Sequence, residues 1–185
     1  DWETFFIDGE SHKKEGRFLL TPHTSNVQVR AMKELGAPLK IVNISRVYRR
    51  QSDASHLSMF HQVELLAIDK KLTIADLKGV IEYFLGQFFG KERALRFRPY
   101  HFRFTEPSFE VDIDCDICHG DPGKGCRVCK QGWLELGGAG MTHANVLKAG
   151  GIDPDIMIGI AFGFGVERIT LMRSGLHIPD IRMLY

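Results

Sequence analysis

The chain is 185 residues long, 44% hydrophobic and 25% charged, the proportions of a globular domain large enough to bury a core. With 24 Lys plus Arg against 23 Asp plus Glu, the net charge of +1 excludes a global electrostatic drive toward nucleic acid, so any RNA contact must rest on local patches. No leader pattern opens the sequence, and no apolar run reaches the roughly 20 residues of a membrane helix. The longest, Ile156–Val166, is interrupted by three glycines. Four cysteines without a sign of secretion favour a cytoplasmic setting and metal ligation over disulfides. The sequence begins at Asp1-Trp2 without a methionine, as an excised domain would.

In chain order, Thr24 or Ser25 is a good N-cap for a first helix that ends before Gly36 and Pro38, with Val27, Ala31 and Leu35 as its buried stripe. A strand over Leu39–Tyr48 runs into a polar, arginine-rich stretch ending at His56, and alternation resumes over Gln62–Asp69. That is the pattern of two antiparallel strands joined by a loop. On the second strand Gln62, Glu64, Leu66 and Ile68 share a face. Amide and carboxylate neighbours on a half-buried face are costly unless a ligand or partner uses them. Thr73 and Asp76 predict a capping box for a second helix. Its stripe of Leu77, Val80, Ile81, Phe84, Leu85, Phe88 and Phe89 is plain core packing, and Gly90 is its stop. Strands are expected at His101–Glu106, Ser108–Ile113 and Trp133–Leu136, and a third helix over Val166–Arg173 with Gly175 as its stop. Together these predict an α+β domain with a mainly antiparallel sheet.

Several constellations bear chemistry. Arginines at the mouth of the first hairpin suit a phosphate-bearing ligand, because guanidinium forks match phosphate oxygens. Alternation sets Phe102, Phe104 and Glu106 on one face, which fits either an aromatic slot beside a carboxylate or an ordinary core strand. The bare run Leu136–Met141 fits either a bulge or close approach by a ligand. Arg168, in the first turn of the last helix, opposes the helix dipole, which fits either a phosphate or nucleobase nearby or a solvated surface residue. Cys115, Cys118, Cys126 and Cys129 form two Cys-x-x-Cys pairs seven residues apart, the donor set of a closed tetrahedral zinc site, ahead of redox or iron–sulfur chemistry. Gly120, Pro122, Gly123 and Gly125 supply the turns between the pairs, and His119 competes as a ligand. His23 and His56 are candidate ligand contacts. His61, His101, His143 and His177 read as structural, and His12 lies in a polar stretch.

The Arg49 hairpin and the glycine-spaced segment ending in Glu167-Arg168 resemble motifs 2 and 3 of class II aminoacyl-tRNA synthetases. Five segments narrow the likeness: His23-Thr-Ser-x-x-Gln28, Phe60-His-Gln-Val-Glu64, Phe102-x-Phe-Thr-Glu-Pro-Ser108, Trp133-Leu-Glu-Leu-Gly-Gly-Ala-Gly-Met141 and Ile178-Pro-Asp-Ile-Arg182. Their order resembles that in the alpha subunits of bacterial phenylalanine–tRNA ligases, over residues 17–185. The resemblance implies a class II fold, an antiparallel sheet flanked by helices, spanning 1–185, and the four cysteines read as an insertion into it at 114–132. It implies activation of L-phenylalanine by ATP to phenylalanyl-adenylate and transfer to tRNA(Phe), with a beta subunit completing a heterotetramer.

Carried over by motif, Arg49 and Arg168 would be catalytic and, with His56 and Phe60, hold ATP, Phe60 stacking on adenine. His23, Ser25, Gln28, Gln62 and Glu64 would position the amino acid's polar end, Phe102 and Phe104 its ring, and Ala161 the floor of the ring pocket. Glu106 would coordinate Mg2+; the structural Zn2+ expected at the cysteines rests on their spacing alone. The sequence departs from the family at Gln51, where an acid is frequent, in the four-cysteine insertion, and at Asp8–Gly16, which lacks the motif 1 proline and resembles a gapped junction. No segment resembles the family's N-terminal coiled coil. Two other readings stay open: a non-catalytic synthetase-like regulator, against which the intact Arg49, Glu64, Glu106 and Arg168 speak, and a ligase for another aromatic amino acid.

Overall fold

The computed structural model describes residues 4–13, 16–90, 92–129, 131–176 and 178–185. His177, expected to be structural, falls outside them. Strands β1 (Phe6–His12) and β2 (Gly16–Leu19) pair as a hairpin where the sequence suggested a gapped junction. After helix α1 (Asn26–Leu35) come β3 (Leu39–Tyr48), β4 (Met59–Asp69) and helix α2 (Ile74–Phe89). The chain continues through β5 (Leu95–Phe102), β6 (Thr105–Asp114), β7 (Trp133–Thr142), α3 (Ala144–Ala149), β8 (Ile158–Gly165) and α4 (Val166–Leu171), closing in a 3-10 turn at Ile181–Leu184. The main sheet has six strands in the order β3-β4-β8-β7-β6-β5, each pair antiparallel. The α+β expectation holds. No helix among the described residues is long and apolar enough to cross a membrane.

Side-chain alternation divides the sheet's two faces. On one, Ala67, Ile160, Phe162, Phe164 and Val111 join Leu77, Ile81 and Leu85 of α2. Each of those three helix residues is essentially inaccessible, and such burial contributes about 1.5–3 kcal/mol per side chain. The Thr73–Asp76 capping box forms as expected. On the other face, Leu66, Ile68 and Ala161 meet Met32 of α1 and Leu147 of α3. These two helices cover one end of that face. A cavity opens over the neighbouring part of that face.

Four expectations are corrected. The stripe of α1 is Gln28, Ala31 and Met32, while Leu35 is 66% exposed, because the helix turns toward the polar residues of β4. In α2, Val80 and Phe88 are exposed, so its stripe is narrower. The strand expected at His101–Glu106 is a hairpin turn at Arg103-Phe104 between β5 and β6, so Glu106 does not share a strand face with the phenylalanines. Helix α4 stops at Leu171, with Met172 rather than Gly175 as its C-cap.

Candidate active site

A cavity of about 340 Å³ opens over β4, β7 and β8, within the range of small-molecule sites. Every residue assigned to ATP or the amino acid from the sequence lines it. They fall into three groups.

The first is polar. Glu64 is buried at 4% on β4, paired with Asn43 of β3 and Gly163 of β8. Thr24 and Ser25 donate to its Oε2 at 2.8 and 2.6 Å, Gln28 to Oε1 at 2.7 Å, and Gln62 Nε2 to Oε2 at 3.4 Å. This explains why Ser25 caps α1 by position without a side-chain bond to it: the hydroxyl serves Glu64 instead. A buried carboxylate stripped of such donors costs several kcal/mol. Gln62 Oε1 is buried and accepts no hydrogen bond among the described residues. An acceptor left unsatisfied beside an anion is matched by a cationic donor. At the rim, burial lowers the His23 pKa, with Glu64 opposing and Arg49 adding to the shift, so the imidazole stays neutral near pH 7.

The second group is aromatic. Phe102 ends β5 and Phe104 occupies the turn, yet their rings stack with centroids 5.5 Å apart and planes 17° off parallel. The turn, and not strand alternation, brings them together. Tyr100 adds a third ring, 4.8 Å from Phe102. The floor is Ala161 and the glycines of β7 and β8. A Cβ at Gly138 would stand 2.7 Å from the Phe102 ring, and one at Gly163 would stand 2.4 Å from Gln62 Nε2. The bare stretch is therefore strand backbone that two walls approach closely.

The third group is cationic. Arg49 lies over the Phe60 ring at 5.3 Å and donates through Nε to Pro22 O at 3.0 Å. Burial lowers its pKa, and the neighbouring Arg168 lowers it further. Arg168 donates to the Glu135 carbonyl at 2.9 Å and the Ser55 carbonyl at 3.3 Å, and its NH2 lies 2.7 Å from His56 Nε2. With Nε2 accepting, the His56 proton sits on Nδ1, 2.9 Å from Asp53. Burial alone would raise the Asp53 carboxyl, but bonds from Ser55 and His56 hold it well below the usual range. The repulsion that Arg168 exerts on the Arg49 guanidinium is relieved by an anion between the two.

Glu106 lies outside the cavity, its side chain 78% exposed and 3.5 Å from His143. His143 itself caps α3, accepting from Asn145 N–H. The sequence reading missed the cavity carboxylates Glu110 and Glu135; burial and then Glu135 raise the Glu110 pKa, so a cation between them would be welcome. It also missed Thr24, although its place beside Ser25 was a signal.

The four cysteines lie in the connection between β6, which ends at Asp114, and β7, which begins at Trp133. The ligand atoms of Cys115, Cys118, Cys126 and Cys129 lie within 4.8 Å of one another. Two Sγ pairs are 3.9 and 3.4 Å apart. Tetrahedral zinc–thiolate bonds separate sulfurs by about 3.8 Å, so the donors fit. Burial pushes the Cys115 thiol up to about 11, which makes a cation the natural source of a thiolate there.

The profile described as "tRNA synthetases class II core domain (F)" matches residues 1–185. Among curated relatives, phenylalanine–tRNA ligase alpha subunits from Francisella tularensis subsp. novicida and Caldicellulosiruptor bescii are 51% and 52% identical. Each match covers 99% of this chain and 51% of the relative. The Pseudomonas fluorescens protein of the same name is 55% identical over 90% of this chain and 48% of its own length. The chain spans about half the length of the curated relatives it matches. A glycine-floored cleft with facing arginines, buried amide and carboxylate, and a profile match from end to end leave one assignment: the chain belongs to the class II tRNA synthetase core-domain family.

Proposed function

We propose that the cavity activates L-phenylalanine with ATP and that the protein passes the phenylalanyl group to tRNA(Phe). The observation that carries this reading is the unsatisfied Gln62 Oε1 beside buried Glu64, at the foot of stacked Phe102 and Phe104 and within the cavity that holds Arg49 and Arg168. An α-ammonium satisfies the first pair, and an aromatic ring fills the slot. A ring held edge-on there gains about 0.5–1.5 kcal/mol beyond area burial. The amino acid's carboxylate oxygen attacks the α-phosphorus of ATP, and the bond to the pyrophosphate oxygen breaks. Arg49 neutralises charge gathering on the α-phosphoryl oxygens, Arg168 and His56 hold the far side of the nucleotide, and Phe60 stacks on the base. The carboxylate is itself the nucleophile, so alignment and charge stabilisation suffice. The adenylate's carbonyl then accepts a ribose hydroxyl of the tRNA's terminal adenosine, releasing AMP.

Magnesium, when bound, screens the triphosphate. Glu110 and Glu135 border that space, whereas the Glu106 side chain is 78% exposed outside the cavity. The four thiolates hold zinc in a closed structural site. A beta subunit is the expected partner, as the relatives' alpha-subunit names suggest.

The test is ATP–pyrophosphate exchange by the full-length protein across the standard amino acids, with and without a beta subunit. Phenylalanine-dependent exchange is expected. Exchange driven equally by tyrosine would overturn the choice of substrate, and none with any amino acid would overturn activation.

A further inference from the structure

Glu167 opens α4 beside Arg168, is buried at 5%, and has no part in the chemistry above. Its carboxylate gathers donors from two distant segments. The His61 backbone N–H reaches both oxygens at 2.9 Å, His61 Nδ1 lies 2.8 Å from Oε1, and the Tyr185 hydroxyl donates to Oε1 at 2.5 Å. An ionised carboxylate only accepts, which assigns the ring nitrogen and the phenol as donors. The His61 and Tyr185 rings stack at 6.5 Å and 14°, and the hydroxyl is also 2.9 Å from Nδ1. Burial and the bond to Glu167 push the Tyr185 phenol up to about 12, so it keeps its proton at every working pH.

Both ends of this network lead into the nucleotide side of the cavity. His61 stands between Phe60 and Gln62, and Glu167 immediately precedes Arg168. The same closing turn supplies Ile181, buried at 2%, which lines the cavity. Its N–H donates at 3.0 Å to the carbonyl of Ala54, in the loop that holds His56 against Arg168.

We propose that Glu167, His61 and Tyr185 are positioning residues that lock β4 to the first turn of α4 and so set the gap across which Phe60 and Arg168 grip the nucleotide. This rests on the reading of the cavity as an ATP site. A plain structural fastener would weaken binding of both substrates alike, whereas a nucleotide-side spacer acts on ATP.

The experiment uses the full-length protein with any partner chain that purifies with it. Mg2+–ATP binding is measured by calorimetry, and the ATP and phenylalanine KM values by pyrophosphate exchange, for wild type, Glu167→Gln and Tyr185→Phe. One charge-assisted bond predicts an ATP Kd and KM raised on the order of tenfold in Glu167→Gln and roughly threefold in Tyr185→Phe, with the phenylalanine KM within about twofold of wild type. Tyr185 is 64% exposed, so its variant reports even if Glu167→Gln does not fold. Parallel shifts in both KM values, or an unchanged ATP Kd in Tyr185→Phe, would overturn the proposal. A wild type that binds ATP but exchanges no pyrophosphate would refute activation and leave the ATP Kd of the variants to judge the spacer. Absence of ATP binding would sink both.

Discussion

Arg49 and Arg168 approach one space and are each anchored by backbone carbonyls, so their orientation does not depend on a ligand being present. Arg49→Ala is therefore expected to abolish adenylate formation while the thermal melt stays close to wild type; substantial exchange activity in that variant would refute its role. At the other end, Ala161 is buried in the cavity floor. Ala161→Gly removes one methyl and is expected to admit para-substituted phenylalanines, measured as exchange driven by para-chlorophenylalanine. Gly138→Ala works in the opposite sense. The added carbon presses on Phe102 across 2.7 Å, and the phenylalanine KM should rise on the order of tenfold while the ATP KM holds, as expected for a displaced ring wall. Gln62, Glu64 and Arg49 were legible because their chemistry is unusual for their setting, an amide and a carboxylate on a buried strand face and an arginine after an apolar run, whereas Ser25, Gln28, Phe60 and Ala161 were assigned by family resemblance alone. Glu110 and Glu135 were not, since carboxylates on alternating strands look the same whether they face solvent or a cavity.

Among the elements, β3 was read to the residue and α2 to its cap, because alternation and a capping box are local signals. The β5–β6 turn was hidden because Arg103 and Phe104 carry no turn signature and the flanking aromatics prolong the strand pattern. Strand β7 was expected only over Trp133–Leu136 and β8 was assigned no strand, because glycines stand where alternating side chains would mark one, a bareness that the cavity accounts for. The cysteine insertion packs Cys115 and Cys118 into the core cluster that holds Ile169 and Met172 at the end of α4. Arg93 reinforces the join, bonding Asp114 and the Met172 carbonyl. Elemental analysis of protein purified without chelator is expected to give about one zinc per chain. Removing the metal should lower the melting temperature by several degrees and weaken ATP binding through α4. Metal-free protein with an unchanged melt would refute structural zinc.

For the whole molecule, the sheet's working face is divided between the α1–α3 end and the cavity, while apolar side chains remain uncovered elsewhere. On β3, Val42 and Ile44 are each 63% exposed, and Phe6, Phe18 and Leu19 of the β1–β2 hairpin are also open. Uncovered residues on an edge strand and its neighbouring hairpin accord with the proposed beta subunit. Ile44→Glu should reduce co-purification of a co-expressed beta subunit while leaving the isolated chain's melt unchanged; undiminished co-purification would place the contact elsewhere. None of this was visible as a partner signal in the sequence, where Val42 and Ile44 pass for core residues of a strand.

The floor of the cleft has a directional effect on how such a protein can change. At positions 138 and 163 there is no room for even one more carbon, whereas position 161 still has a carbon to lose. Single substitutions can thus loosen the choice of side chain readily but can tighten it only by moving a wall. On the proposed reading of the cavity, a descendant of this protein would drift toward tolerance of bulkier aromatics far more easily than toward smaller ones, and rejection of larger side chains rests on retaining one methyl group.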